Sequence, residues 1–318
     1  MIVFVKNWAL PFAMLLGAAA YFVFSGVSYL SFAKPYILEF ISFITPLLIF
    51  AQLLLVFCKV ELKELFPKKW HLWLLLIQLF STLIISLIIL FGNLTYEYDI
   101  VFKSAIVCLL CPTATAAAVI TAKLGGNASS LTTYTLISNI FVAIVVPLLF
   151  PLLEPKTNVT FIVAFFKILS KVFPLLLSPF ILALLLKYFS PKVHAFLAKH
   201  NGFAFYIWVA ALTIVTGQTV RSLVNSNASS GIEIEIIFVS LIICCFQFFM
   251  GKRIGSIYND RISAGQALGQ KNTVLAIWMA FTFLNPLTSV GPGSYVIWQN
   301  IINSYQLWKK RKKDSKGL

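Results

Sequence analysis

Thr113 and Thr115 follow Pro112 in the stretch CPTATAAAVITAKLGG, and Gln270, Lys271 and Asn272 stand together in SAGQALGQKNTVLA. Both stretches lie inside long apolar runs. Hydroxyl and amide groups placed there can donate hydrogen bonds to an anion. An ammonium at membrane depth is costly without a partner or water, so Lys271 either belongs to a site or snorkels to the cytoplasmic surface. Such a set binds; it does not cleave. The three histidines, His71, His194 and His200, all fall near the ends of apolar segments, and the chain has no HExxH, no GxSxG and no paired intramembrane aspartates. A membrane enzyme is therefore the weakest reading. Cys108 and Cys111 make a CxxC spacing on an apolar segment, where small core residues are the ordinary explanation. No metal or other cofactor is called for.

The elements that must position these residues are membrane spans. Of 318 residues, 60% are hydrophobic and 11% charged, against about a quarter charged in soluble domains. A span needs about 20 apolar residues. Ten segments qualify or nearly so, near 8–28, 36–57, 70–92, 100–123, 128–150, 169–189, 202–222, 234–251, 262–284 and 288–308. The amino terminus reads as the first span, since it lacks a clear basic start followed by a small-residue cleavage site. The apolar stretch 158–168 is surplus and is expected to lie along the interface before the sixth span.

The net charge of +15 reads first as topology, not as nucleic-acid binding. Lys59, Lys63, Lys68 and Lys69 fall between spans two and three. Lys187, Lys192 and Lys199 mark the next loop on that side, then Lys252, Arg253 and Arg261, then the tail at 309–313 and Lys316. Lys6 and Lys123 fall on the same side. The opposite loops carry little beyond Lys34, Lys156 and Arg221, with acids at Glu97, Asp99, Glu233 and Glu235. Lys and Arg collect in cytoplasmic loops, so both termini are expected in the cytoplasm. Trp8, Trp70, Trp73 and Trp308 fit an aromatic belt at that boundary.

Two spans differ from the rest. In the fourth, Pro112 removes a backbone donor and disfavours helix at Cys111. In the ninth, Gly265 and Gly269 loosen the helix before Asn272. Interrupted members at equivalent places in two groups of five are the pattern of an inverted-repeat transporter. Half-helix amino termini attract anions there, and free carbonyls attract cations. The expected fold is all-α and integral to the membrane: ten transmembrane helices, two inverted five-helix repeats over 1–157 and 158–308, and a basic cytoplasmic tail over 309–318.

These blocks resemble the bile acid:sodium symporter family. CPTATAAAVITAKLGGNASSLTTYTLIS is similar to that family's fourth and fifth spans, LGQKNTVLA to its ninth-span motif, and Gln78 of LLLIQLF to a third-span glutamine. The resemblance implies a panel domain and a core domain, with the broken helices crossing in the core. It also implies transport of organic anions, usually with two sodium ions. Thr115 and Asn272 match substrate-contacting positions, Thr113 stands where glycine is usual, and Thr135 is kept. Asn139 and Ser138 either line the same cavity or bond between helices.

The departures are specific. Ala117 and Ala118 replace a sodium-contacting Ser-Asn pair, Leu131 replaces a hydroxyl, Ala267 a glutamate and Lys271 a glutamine. Hard cations need oxygen ligands, so the first sodium site is expected to be lost. Lys271 is expected to hold its ammonium where the second sodium would sit, beside Gln270, Gln78 and the carbonyls of the broken fourth helix. A carboxylate at similar depth is lacking. The expected function is sodium-independent secondary transport of a small organic anion, with proton exchange at the Lys271 amine as a possible coupling. The expected setting is the inner (plasma) membrane of a bacterium. The rival reading is a non-transporting sensor or scaffold of the same fold. The partners are the substrate anion and the bilayer, with no nucleic acid.

The topology is checked by single cysteines. Placed at 93–98 and 224–231 they should react with an impermeant thiol reagent from outside intact cells, and placed at 314–318 they should not.

Overall fold

The structure is a computed structural model describing residues 2–26, 32–155, 159–200, 202–225 and 230–315, without the side chains of residues 2–10, 62 and 230. Lys6, Trp8, Lys156 and Lys316, which enter the charge and aromatic patterns, lie outside the described side chains. The described chain is helical, with thirteen α-helices: α1 (Ile2–Gly26), α2 (Lys34–Phe57), α3 (Lys69–Phe91), α4 (Tyr96–Leu110), α5 (Ala117–Leu124), α6 (Ala128–Leu153), α7 (Phe161–Phe189), α8 (Pro191–Lys199), α9 (Phe203–Val224), α10 (Ser230–Ile257), α11 (Arg261–Gly269), α12 (Thr273–Phe283) and α13 (Val290–Asp314).

The polarity of these helices is inverted relative to water-soluble ones. On α3 the buried residues include Gln78, Thr82 and Ser86, while Leu72, Phe80, Ile84 and Leu87 are exposed. Exposed apolar faces of this kind are stable only against lipid. Among the described residues, six helices are long and apolar enough to cross a membrane: α2, α3, α6, α7, α9 and α10. Of the other four expected spans, two are broken into α4/α5 and α11/α12. The side chains of α1 are described only from Pro11 on, and the last, α13, carries Ser294, Gln299 and Asn303 on its buried face.

The stretch 158–168 is not a separate interfacial segment. From Phe161 it is the first part of α7, a 29-residue helix that runs on through Pro174 and Pro179. Nothing between Phe161 and Phe173 breaks the run, so the helix starts early.

The helices pack as two groups. α1, α2, α7 and α9 contact one another along one side; α3 to α6 and α10 to α13 form the other, around the broken pairs. α6 packs along α7 where the groups join. Local signals place the ends of the short helices. Gly125, the one described glycine with positive φ (+85°), ends α5, and the Asn127 side chain then caps α6 by accepting from Ser130 N at 2.8 Å. Asn127 N in turn donates to Ser263 Oγ at 2.8 Å, tying this turn to α11.

One buried cation had no place in the charge pattern. Lys103 of α4 is 5% exposed and bridges Asp99, one turn earlier, and Glu154 at the end of α6, both at 2.6 Å. Lys103→Met leaves two carboxylates facing each other without a cation. Because both carboxylates keep some solvent, the expected loss is about 1–3 kcal/mol, less than for a fully buried pair. It reads as a lower melting temperature in a detergent thermal-shift assay; an unchanged midpoint would show the triad to be incidental.

Candidate functional site

The two breaks meet. α4 stops at Leu110 because Cys111 precedes a proline, and Cys111 is extended, with ψ 139°. α11 stops at Gly269, and Asn272 caps α12 by accepting from Leu275 N at 3.3 Å. The residues between run antiparallel and pair with each other. Ala114 N donates to Gln270 O and Asn272 N to Pro112 O, both at 2.9 Å, as an isolated bridge between Thr113 and Lys271. Each break therefore satisfies part of the other's backbone, as irregular chain at membrane depth requires. Gly269 does not serve by flexibility: a Cβ there would fall on the Phe248 ring.

A helix end leaves four carbonyls without intrahelical partners. At the end of α4 side chains supply what the helix lacks. Gln247 Nε2 donates to Cys108 O at 3.1 Å and Lys271 Nζ to Leu109 O at 3.1 Å. Gln78 Nε2 donates to Leu110 O at 2.6 Å and to Cys111 O at 3.3 Å. Tyr134 donates its hydroxyl to Gln78 Oε1 at 3.4 Å, which orients the amide. Lys271 is 1% exposed, so it does not snorkel. It lies at the negative end of the α4 dipole, where a cation is favoured.

The other break is held in the same manner. Thr113 Oγ1 donates to Ala267 O at 2.6 Å, Tyr295 OH to Gly269 O at 2.8 Å, and Cys111 Sγ to Asn272 O at 2.9 Å. Gln299 takes both backbone polar groups of one residue: its Oε1 accepts from Lys271 N at 2.8 Å and its Nε2 donates to Lys271 O at 3.3 Å.

The positions that depart from the expected cation ligands converge. Ala117, Leu131 and Ala267 belong to one buried apolar cluster with Trp70, Leu74, Tyr134, Ala264 and Leu268, and Ala118 packs against it. No side-chain oxygen comes from those four positions.

The other predicted residues do not share one open pocket. Thr115 is buried and accepts from Gln52 Nε2 at 3.0 Å. Thr135 bonds within its own helix, to Leu131 O at 3.0 Å. Asn139 is buried, and its Nδ2 has no partner among the described residues, nor has the Oε1 of Gln270. Asn272 is engaged as a cap. A cavity of about 1210 Å³ opens instead between α1, α2 and α9 on one side and the start of α4 and end of α12 on the other, and none of these residues lines it. Sequence reasoning missed Gln52, Gln247, Tyr295 and Gln299. The available signal was an amide or phenol inside an apolar span, which must find a partner there. His71 is structurally engaged: its Nδ1 accepts from Lys68 N at 3.1 Å, so its protonated Nε2 faces Ser130 Oγ at 3.2 Å.

The model of the sodium bile acid symporter family matches residues 45–226, more than half of the chain. The match includes Gln78 and the α4/α5 break and ends before the α11/α12 break that holds Lys271. No curated protein matches the chain.

Gln299→Leu removes an acceptor from Lys271 N and a donor from Lys271 O. Leaving such buried groups unpaired should cost about 1–3 kcal/mol, measured as a lower thermal midpoint in detergent. Gln299→Glu, which keeps only the acceptor, should fall between the two.

Proposed function

The chain belongs to the sodium bile acid symporter family, and from that premise we propose that it is a secondary transporter of an organic anion in which a tethered cation replaces a bound one. The observation that carries this reading is the Lys271 ammonium on Leu109 O, at the carboxyl end of a broken helix. A symporter of this family is expected to place a dissociable sodium ion beside such carbonyls. Here the cation is part of the chain and its neighbours are already taken by Gln78 and Gln247. The apolar cluster around Ala117, Leu131 and Ala267 supports the loss of the other sodium site, since it offers a hard cation no side-chain oxygen from those positions.

The amino termini of α5 and α12 face the same crossing and favour an anion. Thr113, Thr115, Thr135, Asn139 and Asn272 are the proposed substrate residues, and Lys271, Gln78 and Gln270 the proposed coupling set. The unpartnered amide hydrogens of Asn139 and the free Oε1 of Gln270 support a ligand or water at that level. The ten-span count, the inverted repeats over 1–157 and 158–308, the cytoplasmic termini and the bacterial inner membrane belong to the same proposal. A proton leaving and rejoining the Lys271 amine would couple transport to a pH gradient.

One observation favours the rival scaffold reading: side chains and backbone of the protein itself already supply donors to the carbonyls at the crossing. Transport assays decide between them. Organic anions that raise the thermal midpoint should enter proteoliposomes equally well in sodium and in choline buffers. Lys271→Met should lose affinity at every sodium concentration. Lys271→Gln should recover sodium dependence weakly or not at all, and Lys271→Gln with Ala267→Glu should do better, because a carboxylate and an amide return together. Strong sodium stimulation of the unmodified protein contradicts the proposal; absence of any uptake favours the scaffold.

A further inference from the structure

The large cavity plays no part in the reading above. At about 1210 Å³ it is roomier than the roughly 300–1,000 Å³ usual for ligand pockets. Much of its wall is apolar, including Phe24, Ile37, Ile41, Ile214 and Phe281. Two cations line it, Lys34 at the start of α2 and Arg221 near the end of α9. Neither is in an ion pair among the described residues, whose pairs are Lys68–Asp260, Lys103–Asp99, Lys103–Glu154 and Lys310–Asp314. One carboxylate, Glu97, is also in the wall, which leaves one positive charge in excess.

Two phenols add donors. Asn225 Nδ2 donates to Arg221 O at 2.8 Å, which fixes that atom as nitrogen, and it also donates to Tyr21 OH at 3.0 Å. Asn285 Oδ1 accepts from Leu287 N at 2.9 Å, so its Nδ2 is the group that donates to Tyr96 OH at 2.8 Å. Both phenol oxygens act as acceptors, and each keeps a proton with no acceptor among the described residues. Gln218, on the same wall, is 8% exposed, and its Oε1 has no partner among the described residues. The asymmetry is chemical: two cations against one carboxylate, with two unused O–H donors, line space that a solute can enter beside an apolar wall.

We propose that this cavity is an anion-binding vestibule, in which Lys34, Arg221 and the Tyr21 and Tyr96 hydroxyls hold the charged group of an amphipathic organic anion whose apolar body lies against the aliphatic and aromatic wall. It deepens the transport reading, on which it rests, by adding a site apart from the helix breaks. The charge pattern assigns this end of the molecule to the outside, so the vestibule is the non-cytoplasmic mouth. Selection of anions then begins on α2 and α9, before any contact with the crossing.

The probe is naphthalene-2-sulfonate, with neutral naphthalene-2-sulfonamide as its uncharged counterpart. Titration calorimetry uses the full chain in phosphatidylcholine nanodiscs. Lys34→Gln and Arg221→Gln should each weaken sulfonate binding about tenfold, and the double variant more, as loss of charge-assisted hydrogen bonds predicts. Lys34→Arg should retain binding, and the sulfonamide should bind weakly to every form. Sulfonate should also protect Ser222→Cys, on the same wall, from an impermeant thiol reagent. The proposal is overturned if the folded, monodisperse double variant keeps the unmodified affinity, if sulfonamide binds as tightly as sulfonate, or if the unmodified protein binds neither. Uptake separates the two readings: binding without uptake sinks transport and leaves the vestibule, whereas uptake with unaltered binding in the double variant leaves transport and sinks the vestibule.

Discussion

Backbone carbonyls released inside a membrane must be given donors, and the carboxyl end of α4 is where that requirement is most acute. Pro112 ends the helix, and the carbonyls from Cys108 to Pro112 are left to find partners elsewhere. Gln247 comes from α10, Lys271 and Asn272 from the second break, and Gln78 from α3. Three separate segments are thus drawn to one short stretch of chain. The packing of α3, α4, α10 and the α11/α12 break follows from this convergence as much as from apolar contact.

A donor on a side chain differs from a bound ion in its entropy. An ion is lost to solvent when its site opens, and rebinding depends on its concentration. Lys271 cannot leave, so its contact with Leu109 O does not depend on the concentration of a cation in the medium. Beside the crossing, Ala117, Leu131 and Ala267 fill their region with close-packed methyl and isobutyl groups. An apolar cluster supports the crossing by exclusion of water, where an ion would support it by charge.

Much of this architecture was legible in the chain. Pro112 marked the α4 break through a covalent constraint that does not depend on tertiary context. Lys271 was conspicuous because an ammonium in an apolar run has few stable explanations. Glycine was less reliable: Gly269 stands at the break, yet its role is contact with Phe248 and not freedom of φ. The stretch 158–168 was misjudged because hydropathy gives the length of an apolar run but not where its helix begins. The partners Gln247, Tyr295 and Gln299 were invisible as a set, since their sequence distance from the breaks carries no signal of contact. Lys34 and Arg221 were read only as loop charges, because a cavity between helices has no signature in one-dimensional periodicity.

On the transport proposal, and if the Lys271 amine keeps its proton throughout instead of exchanging it, the membrane voltage enters the cycle. With exchangeable cations, charge enters and leaves together with the solute. With Lys271 as a fixed charge, a bound monoanion neutralises the moving part, so the loaded carrier responds little to the field. The empty carrier keeps its positive charge and must return with it. Each elementary charge carried through the full field is worth about 2.3 kcal/mol per 100 mV. On that proposal a negative interior would draw the empty form toward the cytoplasm, and its resting orientation would depend on voltage as well as on packing.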